Sequence, residues 1–361
     1  MTGTAPLVDV IRKRLQSGIL PFCEFMEIAL YEPGLGYYSR GGNRVGKEGD
    51  YVTSPTLSPL FSFALGKLMR EFLSRVEGEP STVVDIGCGD GSLIYSLYGL
   101  GGGAAASPAQ AYAASVAGGA AGAPRFYGVD RSLSRVSEGD GVRFVHSLDE
   151  VPKEGAHLIF ANELFDAFPF ARLVKRAGRL CELCVVERSG ALDWSERAAP
   201  PEYERYFADR GVELADGQFA DVSLDWEREY TRICRSLMRG LIITFDYGYP
   251  EKNLFDNRAR RYGTAASYRG HEVSRDLLSD PGERDLTAHI NFTDLSRAGE
   301  REGFTTLFFD RQAKFLLALG AAEHESLRPI DDMAIGNIEE GLLALQHRDD
   351  ARRMLLPDGI G

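Results

Sequence analysis

Residues 83–93, VVDIGCGDGSL, constrain this chain more than any other stretch. Apolar Val83, Val84 and Ile86 run into Gly87, Gly89 and Gly91, after which a helical pattern begins. A strand feeding such a turn brings its backbone close to a ligand, because glycine has no Cβ in the way and tolerates positive φ. The dinucleotide fingerprint spaces its glycines G-x-G-x-x-G and seats a pyrophosphate on a helix N-terminus. Here the spacing is G-x-G-x-G, with Asp85 before the turn and Asp90 inside it. Carboxylates suit a cation better than a pyrophosphate, so the turn points to a cationic nucleoside such as S-adenosylmethionine. A tight strand-to-helix turn without a ligand is the plain alternative.

The surrounding sequence expects a doubly wound α/β sheet. RFYGVD, VRFVHS and AHLIFANE read as the second, third and fourth strands after a first strand at 82–87, with helices between them. Upstream, residues 7–16 and the stretch LPFCEFMEIALY carry helical spacing (Phe22, Phe25, Met26, Ala29, Leu30), and PLFSFALGKLMREFL forms another helix that Thr56 or Ser58 could cap. Residues 172–195 read as two or three strands. Helical stretches follow near 202–210 and 220–239, then a strand GLIITFDYG, a helix over 293–302, a strand GFTTLFFD, a helix from Gln312 and a last helix near 336–348. Residues 99–124 are Gly/Ala-rich and of low complexity. The layout expected is an N-terminal helical extension with a cofactor-covering loop over 1–78, a core over 79–320 with an insertion around 175–238, and a helical tail over 321–361.

Composition excludes several classes. The chain has 361 residues, enough for one large or two modest domains, and a net charge of −12. Such a surface repels nucleic-acid phosphates and anionic membranes. No signal or transit peptide and no apolar run of spanning length is apparent, so a cytoplasmic setting without membrane insertion is expected. The oligomeric state is not legible. Five cysteines are too few and scattered for a disulfide framework. Cys181 and Cys184 lie in a strand-like segment that points residues three apart to opposite faces, and no second pair completes a zinc site. No two of the six histidines have H-x-x-x-H spacing, so no metal is expected.

In a doubly wound sheet, ligands sit outside the carboxyl ends of the strands. The second strand ends in Asp130, a carboxylate placed to accept hydrogen bonds from ribose hydroxyls, and the third ends near Ser147, a further candidate contact. The fourth ends in ANELFDAFPF, where Asn162, Glu163 and Asp166 face the same crevice. Glu163 and Asp166 could clamp a guanidinium or position an attacking nitrogen, and a helix-capping turn is the alternative.

The blocks FCEFMEIALYEPGLGYYSR, GDYVTSPTLSPLF, DIGCGDG, ANELFDAFPF, DYGY, YRGH, PGERDLTAHINFTDL and QAKFLLALG occur in that order. Together they resemble the methyltransferase family of the mitochondrial complex I assembly factor and its bacterial relatives, over roughly residues 20–320. The resemblance implies a class I S-adenosylmethionine-dependent fold, Rossmann-like, with a seven-stranded sheet whose last strand is antiparallel. It also implies a protein substrate methylated on arginine, such as a respiratory-complex subunit. Carried over, Gly87, Gly89 and Gly91 approach the methionine part of the cofactor, Asp130 the ribose, and Asp50, Thr53 and Ser54 belong to a loop closing over it. Asn162, Glu163 and Asp166 lie near the methyl group. The family loop usually reads T-S-P-E or T-A-P-E, and here Thr56 stands where that Glu would. A cofactor-binding assembly factor without catalysis therefore stays an alternative, as does a small-molecule or other side-chain methyltransferase. Tyr37 and Tyr38 follow a helix break and read as packing, while His271 and His289 fall in the family blocks.

Overall fold

The structure, a computed structural model, describes residues 6–40, 59–101, 123–133, 136, 141–270, 272–321 and 341–348, the last by backbone alone. Asp50, Thr53, Ser54, Thr56, Ser58, His271 and the Gly/Ala stretch from 102 to 122 lie outside the described residues. The chain divides into two discontinuous compact units: Met1–Tyr51, Phe165–Trp226 and Gly248–Thr293 make the first, and Val52–Leu164, Glu227–Tyr247 and Asp294–Gly361 the second.

The second unit is built on a seven-stranded sheet: β1 Ser81–Ile86, β2 Arg125–Val129, β3 Val142–Val145, β4 Ala156–Asn162, β5 Arg239–Tyr249, β6 Phe304–Arg311 and β7 Gly341–Arg348. Their order is β3-β2-β1-β4-β5-β7-β6. Strands β1 to β5 are mutually parallel, and β7 runs antiparallel to both β5 and β6. Six strands thus share one direction, which is the class I arrangement expected. All six residues of β1 and the first six of β4 are buried, because a parallel sheet covered on both faces needs apolar runs rather than alternation. The helix Pro59–Arg75 supplies one cover, placing Phe61, Leu65, Leu68, Met69 and Phe72 in a cluster with Val83, Leu158, Phe160, Ile243 and Phe245. Burying each such side chain contributes about 1.5–3 kcal/mol.

Two expectations need correction. Residues 341–348 form β7, not helix. GLLALQHR has the leucines and alanine of a helix former, but Gly341–Arg348 pairs with β5 on one side and β6 on the other, and that double ladder outweighs a few tenths of a kcal/mol per residue of propensity. Residues 220–239 are also not one helix. Phe219–Val222 is a strand paired with Ala171–Val174, and the helix runs only over Asp225–Arg235, with the Ser223 hydroxyl accepting the Asp225 N–H at 3.4 Å.

The first unit holds the helices Pro6–Leu15 and Phe22–Tyr31 and an antiparallel sheet. Its strands are Ala171–Arg176, Arg179–Arg188 and Ala191–Ala198, joined by two-residue turns with positive φ at both positions (Ala177–Gly178 and Ser189–Gly190). Such turns match the twist of a hairpin. Strand Arg179–Arg188 buries Cys184 fully and leaves Cys181 half-buried, on opposite faces as expected. Phe22, Phe25, Met26, Ala29 and Leu30 are all buried, with Phe22 5.3 Å from Phe170 and 5.2 Å from Trp194. Tyr37 is completely buried in the same cluster, as packing. A three-stranded sheet, Glu272–Ser274, Ala266–Arg269 and Asp285–Thr287, completes the unit.

Candidate functional site

In the second unit the chain leaves β1 toward β2 and β3 on one side and returns to β4 and β5 on the other. The gap between β1 and β4 is the switch point at which ligands bind in open α/β sheets. Register brings the strand ends level: Ile86 pairs with Ala161, and Asn162 with Phe245.

The glycine turn sits above β1. Gly87, Gly89 and Gly91 have φ of 71°, 56° and 81°, a region that costs an L-residue about 1–2 kcal/mol. Gly87 and Cys88 donate their N–H groups to Val129 O at 2.8 and 3.2 Å, tying the turn to the end of β2. A Cβ on Gly87 would lie 2.8 Å from Leu164 Cδ1, and one on Gly91 would lie 3.0 Å from the Phe144 ring. A Cβ on Gly89 would meet nothing within 4 Å. The turn is therefore packed at both ends and open in the middle, a cradle for something close to the backbone.

Around it stand the carboxylates. Asp130 Oδ2 accepts the Gly89 N–H at 3.0 Å and Oδ1 the Ser132 N–H at 2.9 Å, which fixes the group at the end of β2. Asp90 Oδ1 accepts the Ser92 N–H at 2.9 Å and starts the helix Ser92–Gly101. Asp85 is buried. Burial first, then the negative charges of Asp130 and Asp90, push its carboxyl well above the ordinary range. Three carboxyl groups converging this way favour a positive ligand.

At the end of β4, Asn162 Oδ1 is buried with no hydrogen-bond partner among the described residues. An orphaned acceptor costs about 1–3 kcal/mol and calls for a donor. Glu163 follows with φ 48°, rare for a side chain with a Cβ, and its N–H donates to Phe245 O at 2.8 Å. Strain of roughly 1–3 kcal/mol of this kind gathers at functional sites. Gly89, Asp85 and Asp130 together fit the cationic nucleoside expected from the sequence, and the Asn162 oxygen remains open to a donor of its own.

Ser147, the candidate contact beyond the end of β3, caps a turn. Its hydroxyl accepts the Asp149 N–H at 3.2 Å, and Glu150 reaches back to the Ser147 N–H, a complete capping box over the turn Leu148–Glu150.

Asp166 belongs to the first unit. Thr287 Oγ1–H donates to its Oδ2 at 3.1 Å, and the Ala288 N–H reaches its main-chain oxygen at 3.4 Å. Burial raises its carboxyl to about 6, against the lowering effect of Thr287. The Tyr31 hydroxyl donates to Ala167 O at 2.9 Å and the Tyr38 hydroxyl to Asp285 Oδ1 at 2.8 Å, so two stacked tyrosines brace the loop and the strand that hold this group. Sequence reasoning missed Thr287, Asp285 and Tyr38 in this role. The alternation D-L-T-A-H over 285–289, with Leu286 and Ala288 buried, was the available signal.

Among the described residues, no helix is long and apolar enough to cross a membrane. Compared with known proteins, residues 126–309, just over half of the chain, match a family described as "Putative S-adenosyl-L-methionine-dependent methyltransferase". The protein arginine methyltransferase NDUFAF7 homolog, mitochondrial, of Drosophila melanogaster is 27% identical over 335 residues, covering 84% of this chain and 72% of its own. The mitochondrial NDUFAF7 protein arginine methyltransferase of Danio rerio is 27% identical over 324 residues, with 82% and 72% covered. A COG1565 superfamily member from Burkholderia thailandensis, crystallised with S-adenosyl-homocysteine, superposes with a TM-score of 0.76 at 25% identity, covering 95% of this chain and 92% of that one.

Proposed function

The chain belongs to this S-adenosyl-L-methionine-dependent methyltransferase family, and from that membership we propose that its methyl acceptor is an arginine side chain of a protein. The observation carrying the proposal is the buried Asn162 Oδ1, which has no partner among the described residues, beside the strained Glu163 at the end of β4. A guanidinium presents five N–H donors in a rigid fork and no acceptor, so it needs amide and carboxylate oxygens in fixed positions. The names of the insect and fish relatives support the same acceptor.

The cofactor is held by the glycine turn and by Asp130 toward its ribose, and its positive charge favours ionisation of the Asp85 carboxyl, which burial and Asp130 hold above the ordinary range. When bound, it supplies an electrophilic methyl carbon on a positively charged sulfur. The protein's own work is alignment and proton removal. Holding two reactants in line is worth about 7–11 kcal/mol in well-oriented systems. Asn162 Oδ1 accepts a guanidinium N–H and fixes its plane. Glu163 faces the cation, orients it, and takes up the proton released as the nitrogen is methylated.

The test is incubation of the protein with S-adenosylmethionine and candidate protein fractions, with methylated arginine read by mass spectrometry. Glu163→Gln keeps the shape and removes the charge. It is expected to lower turnover on the order of 10²-fold or more, within the range of general-base effects, with cofactor affinity unchanged. Methylation of a small molecule or of another side chain by the wild type would refute the arginine reading. Binding without any transfer would favour the assembly-factor alternative raised by Thr56. The cytoplasmic setting expected from the sequence draws no support from the relatives, whose names place them in mitochondria. Fractionation of tagged protein decides it.

A further inference from the structure

A second cluster of chemistry stands in the first unit. His289 Nδ1 is buried with no partner among the described residues. The imidazole lies 5.3 Å from the Tyr249 ring, and the Arg260 guanidinium lies 3.5 Å over that same ring. On the other side, the His289 N–H donates to Thr264 Oγ1 at 3.1 Å, and Arg275 Nη1 donates to the neighbouring Ala265 O at 2.9 Å. Arg260 Nη1 is anchored on Asn253 O at 2.6 Å.

The two guanidiniums differ from several others near them. Arg172, Arg197, Arg210 and Arg269 of the same unit each pair with a carboxylate. Among the described residues, neither Arg260 nor Arg275 does, although the protein carries twelve excess negative charges. The carboxylate nearby, Asp221, is already committed. Its Oδ1 pairs with Arg172 at 2.7 Å, and its Oδ2 accepts the N–H groups of Thr264 and Ala265 at 2.7 and 2.8 Å. That clamp fixes the backbone carrying both the His289 and the Arg275 anchors. It requires Gly263, at φ 74°, because a Cβ there would fall 2.3 Å from Asp221 Oδ2.

We propose that His289, Arg260 and Arg275 form an anion-binding site for an oxyanion, a carboxylate or a phosphate, separate from the methyl-transfer residues. Two guanidiniums already anchored through one nitrogen each keep further N–H donors for such a group, and charge-assisted bonds of this kind are the strong ones. The imidazole stays neutral there. Burial first, then Arg260 and Arg275, push it down to about 4, with Asp221 opposing. A neutral ring can therefore donate one N–H to the anion without adding a third positive charge to the unliganded site. The site goes beyond the methyl-acceptor reading, since it binds an anion whatever the acceptor is.

The experiment uses the full chain labelled with isotopic histidine. The imidazole resonances are followed at pH 7 and constant ionic strength, and His289→Gln identifies the signal. Inorganic phosphate is titrated in one arm. In two others, a capped aspartate-containing peptide and its asparagine counterpart are titrated. A saturable shift of the His289 resonance with phosphate or with the aspartate peptide, at least about tenfold weaker in Arg275→Gln, supports the site. Saturation with phosphate alone identifies a free anion, and saturation with the aspartate peptide but not its asparagine counterpart identifies an acidic protein side chain. Arg275 is exposed, so its variant keeps the fold, and Arg260→Gln is the second test. Absence of saturation in both the phosphate and aspartate arms overturns the proposal, as does equal binding by both arginine variants and the wild type.

Discussion

Replacing Gly89 with alanine separates the cost of a strained backbone from the cost of filling the cradle. At φ 56° an alanine is strained by about 1–2 kcal/mol, and its Cβ touches nothing within 4 Å, so no packing cost is added in the unliganded protein. Gly211, the αL cap of the helix Pro201–Arg210, is a matched control: its φ is 62° and its Cβ also meets nothing within 4 Å. Both variants should lose the same stability, a melting temperature lower by about 2–4 °C per kcal/mol. Only Gly89→Ala should lose the cofactor, because its methyl group occupies the open middle of the turn. Overpacking of a close contact costs about 1–3 kcal/mol, so affinity should fall by about 5- to 150-fold. Calorimetric titration with S-adenosyl-homocysteine, alongside thermal melts of all three proteins, reads both quantities. Equal affinity in the Gly89 and Gly211 variants would refute the placement of the cofactor over this turn.

Asp85→Asn should stabilise the unliganded protein at neutral pH while weakening the cofactor. The raised carboxyl destabilises the fold progressively as pH climbs from its unfolded value, near 3.9, through its folded one, so the gain should vanish below about pH 4 in pH-resolved denaturation. Burial of Asp166, whose carboxyl is raised to about 6, should cost stability as pH climbs from about 4 through 6, a loss that pH-resolved denaturation finds in the wild type and not in Asp166→Asn. Asp221→Asn breaks a buried pair that also holds two backbone N–H groups, and should cost about 3 kcal/mol in urea unfolding. A loss under 1 kcal/mol would show that the clamp is not structural.

The sheet of the second unit was readable because buried parallel strands are continuous apolar runs, and β1, β2, β4 and β5 announce themselves that way. β7 was not, because GLLALQHR contains no β-branched residue and owes its form to partners at β5 and β6 distant in sequence. Asp130 and Asn162 were legible as strand-end residues in a fold whose ligands gather at strand ends. What braces Asp166 was not: Thr287 lies 121 residues away. Ser147 carries a local role that the sequence also displays. The pattern Ser147-Leu148-Asp149-Glu150 is a capping box in plain view, and reading it would have assigned the hydroxyl to its own turn.

The position of β7 also sets an order of events during synthesis. β6 leaves the ribosome before β7 yet, among the described residues, pairs in the sheet with β7 alone, and the β5 edge that β7 covers stays open until residue 348 is available. For that interval the nascent chain presents an eleven-residue strand, buried nearly throughout in the finished fold, with one side open to pairing. Open apolar edges of this kind are templates for intermolecular association. A stop codon before residue 341 would therefore not merely trim the protein. It would leave the sheet permanently at its most adhesive stage, and such truncations should be recovered in aggregates or bound to chaperones rather than as shortened enzyme.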